Sequence, residues 1–208
     1  MGRANRMNGY VGEFKSSFLS CEKDVEAIIK KLFVDSRPHS DMLKRLMLIN
    51  TPDCLYDMTN QAYIDKIRDT SVKEMRDKGY ILLEPKIKQK ENEEVKSHII
   101  ITFTNFTPNK TNPEFRDCII MIDVLCHTDY WDIGNYRTRP MKIVGYIDGL
   151  LNNTRLSGIG QLKFLGCNEL TMNEQLSGYC LMYSAVHGSD DFIPGKEDLM
   201  PEDMVPVE

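Results

Sequence analysis

The chain has no uninterrupted apolar run approaching the roughly 18 residues that a membrane-spanning helix needs, so no segment is expected to cross a bilayer. Cysteine is present but unpaired in sequence. The six residues Cys21, Cys54, Cys118, Cys126, Cys167 and Cys180 are scattered, and none forms a Cys-x-x-Cys pair. A zinc site built from ligand pairs at short spacing is therefore not expected, and no metal ligand or cofactor residue is assigned. Scattered thiols read as reduced, which points to assembly in a reducing cytoplasm. Met1-Gly2-Arg3-Ala4-Asn5-Arg6 carries two positive charges with no apolar stretch behind them, so no secretory signal is expected. Arg6 stands where a myristoylation pattern wants Ser or Thr. Gly158-Ile159-Gly160 precedes a strand pattern, whereas a phosphate cradle wants a helix N-terminus after its glycines.

What is present is an ordinary globular composition over 208 residues, 41% hydrophobic and 27% charged. The formal net charge is −5, but it is concentrated at one end. Residues 188–208 hold seven acids (Asp190, Asp191, Glu197, Asp198, Glu202, Asp203 and Glu208) against Lys196. The body before them is nearly neutral, which argues against non-specific nucleic-acid binding. Residues 1–19 are polar and without period and read as a flexible arm. Residues 20–187 read as one domain, helical over 20–79 and sheet plus helix over 80–187. Residues 188–208 read as an acidic tail.

Val25, Ile28, Ile29 and Leu32 fall on one helical stripe, predicting a helix over residues 21–33. Ser40 can cap a second helix that buries Met42, Leu43, Leu46 and Met47. A third helical stretch starts near Asn60, restarts at the capping box Ser71-x-x-Glu74 and closes at Lys78-Gly79. The period then changes to two. Ile81–Lys90 and Ser97–Phe106 read as the arms of a long hairpin projecting from the body, its outer half charged. Phe115–His127 is apolar on both faces and reads as a central strand. Pro140 opens a helix with Ile143, Ile147, Leu150 and Leu151 on one side. Gln161–Cys167 and Ser177–His187 are the last strands. The fold class is therefore α+β, with N-terminal helices followed by an antiparallel sheet in the order β-β-β-α-β-β.

Few residue groups suggest chemistry. Cys126 and His127 are adjacent on a strand and so point to opposite faces, which opposes a catalytic pair. Asp123 interrupts an apolar strand. A buried carboxylate must be paired or protonated, and Arg116, Arg139 and Arg155 are available; Asp123 with Arg139 is the candidate buried ion pair. Asp77 with Glu84-Pro85-Lys86 is a degenerate match to a metal-dependent nuclease pattern, two carboxylates for Mg²⁺ and a lysine for the water. Pro85 disturbs the strand that should carry both ligands. No catalytic residue is assigned.

One resemblance covers about residues 80–187. It rests on Phe115–His127, Tyr130-Trp131, Arg139-Pro140, Ile147-Asp148-Gly149-Leu150-Leu151-Asn152, Gly158-Ile159-Gly160 and Gly178–His187. This order of elements resembles the neck or tail-terminator proteins of tailed bacteriophages. The resemblance implies a small antiparallel sheet with flanking helices, and subunits that form a ring at the head–tail junction. It implies as partners further copies of the chain, neighbouring portal, collar or tail proteins, and a transient contact with DNA in the channel. It implies no enzyme activity, no membrane, and a place in the virion after assembly in the host cytoplasm. Candidate inter-subunit contacts are Lys86, Lys88, Lys90, Glu93 and Glu94 on the hairpin and Tyr130, Trp131 and Arg137 in the loop after the central strand. The long helical region over residues 20–78 departs from that pattern. Two other readings are a nuclease using Asp77, Glu84 and Lys86, and a small adaptor that binds one partner through its acidic tail.

Overall fold

The expected apolar stripe near the start of the chain forms helix α1 (Cys21–Phe33), which buries Ile28, Ile29, Leu32 and Phe33. The structure is a computed structural model that describes residues 18, 21–84, 95–111, 115–156 and 158–188. Helix α2 (His39–Leu48) begins one residue before the expected Ser40 cap. Ser40 lies inside the helix, where its hydroxyl accepts from the Ser36 N–H at 3.2 Å. Helix α3 (Gln61–Asp69) is capped by Asn60, whose side chain accepts from the N–H groups of Ala62 and Tyr63. Helix α4 (Val72–Asp77) is capped by Ser71, which accepts from the Glu74 N–H. Gly79 then turns the chain at φ 74°, a conformation that only glycine adopts without strain.

The sheet has five strands in the order β1-β2-β3-β7-β6. They are β1 (Ile81–Leu82), β2 (Ser97–Pro108), β3 (Phe115–His127), β6 (Lys163–Thr171) and β7 (Leu176–Gly188). Helix α5 (Arg139–Leu151) leads from β3 to a separate two-stranded ribbon of β4 (Arg155–Leu156) and β5 (Gly160–Gln161). β3 is central, as its two apolar faces require. It pairs antiparallel with β2 on one side and with β7 on the other.

The sheet corrects the expected hairpin. β1 is two residues long and pairs parallel with β2, Ile81 opposite Ile99 and Leu82 opposite Ile100. The long hairpin is instead β2 with β3, running from Ser97 opposite Cys126 to Pro108 opposite Arg116. β2 is buried from Ser97 to Ile101, and an apolar partner on β3 matches that burial better than a lysine-rich arm. Residues 85–94, which include Lys86, Lys88, Lys90, Glu93 and Glu94, lie outside the described residues, as do residues 1–17 and the acidic tail beyond Gly188.

Helices α1, α2 and α5 cover one face of the sheet. That face presents Ile99 and Ile101 from β2, Cys118, Ile120, Ile122 and Val124 from β3, and Leu181, Tyr183 and Ala185 from β7. No described helix packs on the other face. There, Ile100, Leu125 and Leu176 form a second, small buried cluster.

Buried cations tie the layers together. Arg139 is fully buried at the start of α5. Its guanidinium donates to the carbonyls of Leu46 and Ile49 at 2.7 Å each, Thr51 at 3.0 Å and Tyr130 at 2.9 Å. The first three lie at and beyond the end of α2, where the helix leaves its last carbonyls without partners and carries partial negative charge. The same device recurs. Buried Lys44 reaches Thr70 O after α3 at 3.4 Å, and exposed Lys66 donates to Leu48 O at 2.9 Å. Lys96 donates to Lys78 O at 2.7 Å, and the His98 ring meets Gly79 O at 2.8 Å.

Two outcomes are expected. Arg139→Met removes a charge-assisted network and strands several carbonyls, so stability should fall by about 3–5 kcal/mol in urea unfolding followed by circular dichroism. Gly178→Ala should fail to give a cooperative melt or lose at least about 2 kcal/mol. β7 runs so close to β3 there that a Cβ would sit 1.9 Å from Val124 O.

Candidate functional site

The loop after β3 places the expected aromatic contacts partly inside the body. A 3-10 turn over Thr128–Tyr130 follows the strand. Trp131 donates its indole N–H to Cys126 O at 3.2 Å and stacks on Tyr179 with ring centroids 6.4 Å apart. Trp131 and Tyr130 are half-buried, whereas Arg137 is exposed and lies over the Tyr56 ring at 5.7 Å. Tyr136 is the fully exposed aromatic of this loop, held at φ 59°. It borders an open cleft of 510 Å³, also lined by Arg137, Met141, Lys142 and Tyr146.

Asp123 and Arg139 do not form the expected ion pair. Arg139 spends its donors on backbone carbonyls under the helical layer. Asp123 stands opposite Ile100 and Cys180, on the face that no described helix covers. Strand alternation separates the two, because β3 sends Ile122 and Val124 to the helices and Asp123 away from them. Of the other two arginines, Arg116 lies over the Phe18 ring at 5.2 Å and Arg155 is exposed on β4. Burial raises the Asp123 carboxyl above its ordinary value, partly offset by a hydrogen bond with Cys180. Around Asp123 the same face carries half-buried Thr102, Ile119, Met121 and Met182.

β6 ends the sheet on one side, so one of its edges is unpaired among the described residues. Its apolar side chains are among the exposed large hydrophobic residues of the described chain: Phe164 is 43% and Leu165 53% accessible, and Met172 just beyond it 38%. A bulge between Phe164 and Gly166 turns Leu165 outward. The strand expected over Gln161–Cys167 runs instead from Lys163 to Thr171, through Asn168 and Glu169, which are poor strand formers. An exposed edge tolerates them.

A groove of 1140 Å³ runs along α1 and is lined by Val25, Ile29, Val34, Val72, Ile81 and Leu83, with charged residues interleaved. Asp77 and Glu84 of the nuclease pattern both line it, and Lys86 lies outside the described residues. Cys21 opens onto the same groove. Its Sγ lies 3.8 Å from His187 Nε2, and His187 Nδ1 meets Asp24 Oδ2. Asp24 and His187 are almost completely buried, and the three donor atoms lie within 4.8 Å of one another. This cluster was missed in the sequence, yet a signal existed. Asp24 sits four residues before Ile28 and eight before Leu32, on the buried side of α1, and Cys21 is three residues before Asp24. Cys126 and His127 diverge as expected. Cys126 is fully buried with its thiol pushed up to about 11 by burial, while His127 accepts from the Asp129 N–H.

The Asp123 environment gives a pH test. A carboxyl that holds its proton more tightly folded than unfolded contributes stability at low pH, and this is lost as pH rises through the folded value. Asp123→Asn should therefore raise Tm at pH 7. The gain should shrink to nothing near about pH 3, below both values, in parallel scanning calorimetry of the two proteins.

Comparison with known proteins follows the same outline. No curated protein matches the chain. A family model described as YomW matches residues 40–185, from α2 into β7. That range covers more than two thirds of the sequence and all of the sheet except the last three residues of β7. The chain belongs to the YomW family, whose name is of the Bacillus phage type, and it is a phage-related protein.

Proposed function

We propose that this chain is a structural virion protein that forms a ring at the phage head–tail junction, as a tail terminator or neck adaptor. In this reading it is not an enzyme. Its partners are further copies of itself and the adjoining portal, collar or tail proteins, with DNA passing through the channel, and it resides in the neck or tail of the virion. Phage-related family membership supports the setting. The observation that carries the reading is the β6 edge, where Phe164 and Leu165 are exposed and no further strand pairs among the described residues.

Long apolar edges promote association, and proteins that stay monomeric blunt them. A subunit whose edge strand is met by a different surface of its neighbour forms a heterologous contact, the kind that closes into rings. The outer sheet face gives a second surface, apolar around Asp123. The cleft beside Tyr136 adds aromatic and basic groups at the N-terminal half of α5. These three surfaces lie on different sides of the subunit's sheet and helices, as a ring member with neighbours on several sides needs.

The test is native mass spectrometry and electron microscopy of the full chain, alone and mixed with the neck proteins of its phage. A discrete ring is expected under at least one condition, and a strict monomer under both overturns the reading. Leu165→Glu should reduce the ring to monomers while changing the urea midpoint of the monomer by less than about 0.5 kcal/mol in equivalent stability.

A further inference from the structure

We infer that Cys21, Asp24 and His187 form a binding site for one divalent cation of borderline softness, zinc in chemical type, which fastens the first helix to the last strand. This site is independent of the ring reading.

The donor set is the first argument. Thiolate, imidazole and carboxylate are the three side-chain groups that zinc takes, at bond lengths of about 2.0–2.3 Å. Two such ligands on one tetrahedral ion stand roughly 3.3–3.8 Å apart. The Cys21 Sγ to His187 Nε2 distance is 3.8 Å, and all three donors fall within 4.8 Å. Cys21 faces Nε2 and Asp24 the opposite ring nitrogen Nδ1, so the set closes around an ion on Nε2 once the Asp24 carboxylate moves off Nδ1.

Burial is the second argument. Asp24 is 1% exposed and His187 0%. Asp24 Oδ2 meets His187 Nδ1, and Oδ1 has no hydrogen-bond partner among the described residues. A buried carboxylate held by a single imidazole contact is incompletely compensated for its desolvation, and a coordinated cation completes that compensation. Cys118 lies near the cluster on β3, where burial comes first and the nearby charges of Asp24 and Cys21 add to it in pushing its thiol up to about 12.

The surroundings are the third argument. The Phe106 ring packs edge-on against His187 with centroids 6.0 Å apart, and Phe18 packs on Phe106 at 5.0 Å. The aromatic wall shields one side of the cluster. Cys21, half-buried, faces the groove on the other. Three protein donors with a fourth position reached from the groove leave room for one water on the ion.

The alternative is an Asp24–His187–Cys21 hydrogen-bonded relay that holds no ion. The two separate on the full-length protein stripped with chelator and then titrated with Zn²⁺ or Co²⁺. The site predicts one equivalent of bound metal by elemental analysis. It also predicts a thiolate-to-cobalt charge-transfer band and a Tm rise of about 5–10 °C with excess zinc. Cys21→Ser should abolish the charge-transfer band, and His187→Ala should weaken binding at least tenfold. Asp24→Asn keeps the side-chain volume and should weaken binding where the alanine variant fails to fold. Absence of stoichiometric metal and of the cobalt band in the wild-type protein overturns the proposal. So does metal binding that Cys21→Ser and Asp24→Asn both leave unchanged. Rapid alkylation of Cys21 that zinc does not slow also overturns it, and assigns the cluster to the relay.

Discussion

Buried cations set against the carbonyl ends of helices are the interaction on which the architecture depends. Arg139 is the centre of it, because one guanidinium satisfies carbonyls from the end of α2, the segment after it and the loop before α5. A fully buried positive charge without a carboxylate partner would ordinarily be expensive. Here four carbonyl dipoles replace water, and the arrangement is directional in a way that a hydrophobic contact is not. It fixes the register of α2 against α5, and with it the surface those helices offer to Ile120, Ile122 and Val124 of the central strand. Buried Lys44 and Lys96, and Lys66 from the surface, repeat the principle at the ends of α3, α4 and α2. These three short helices, each marginal alone, are stabilised by what lies beyond their last turn.

The helical layer makes the sheet two-sided. One face is a closed core and the other is half-buried, with Asp123 among apolar neighbours. Such a surface suits a subunit whose remaining burial comes from association. In the proposed assembly the outer face would add selectivity, since a neighbour there would supply a donor to the Asp123 carboxyl or leave it protonated.

Much of the fold was legible because burial leaves a local period. The stripes of α1 and α5 and the two-faced β3 follow from side-chain spacing, and the capping by Asn60 and Ser71 from their chemistry. What failed was non-local. A two-residue strand such as β1 has no period to read, and whether Ile81 pairs parallel or antiparallel depends on the path of the chain rather than on its composition. Arg139 was marked as a buried cation, but its acceptors are carbonyls that carry no identity in the sequence. Asp24 looked like an ordinary acid in the first turn of a helix, where the helix dipole favours negative charge. Its distinguishing trait is that it faces Ile28's side of the helix and meets a histidine 163 positions later.

The contact between α1 and the end of β7 joins the two extremes of the described domain, with Cys21 and Asp24 on one side and His187 on the other. It lies outside residues 40–185, the stretch that the family shares. A load applied between Cys21 and the end of β7 is shared by this junction and the β3–β7 pairing of His187 with Arg116. Mechanically the domain behaves as a closed loop rather than an open chain, with a clasp at the point where tension enters.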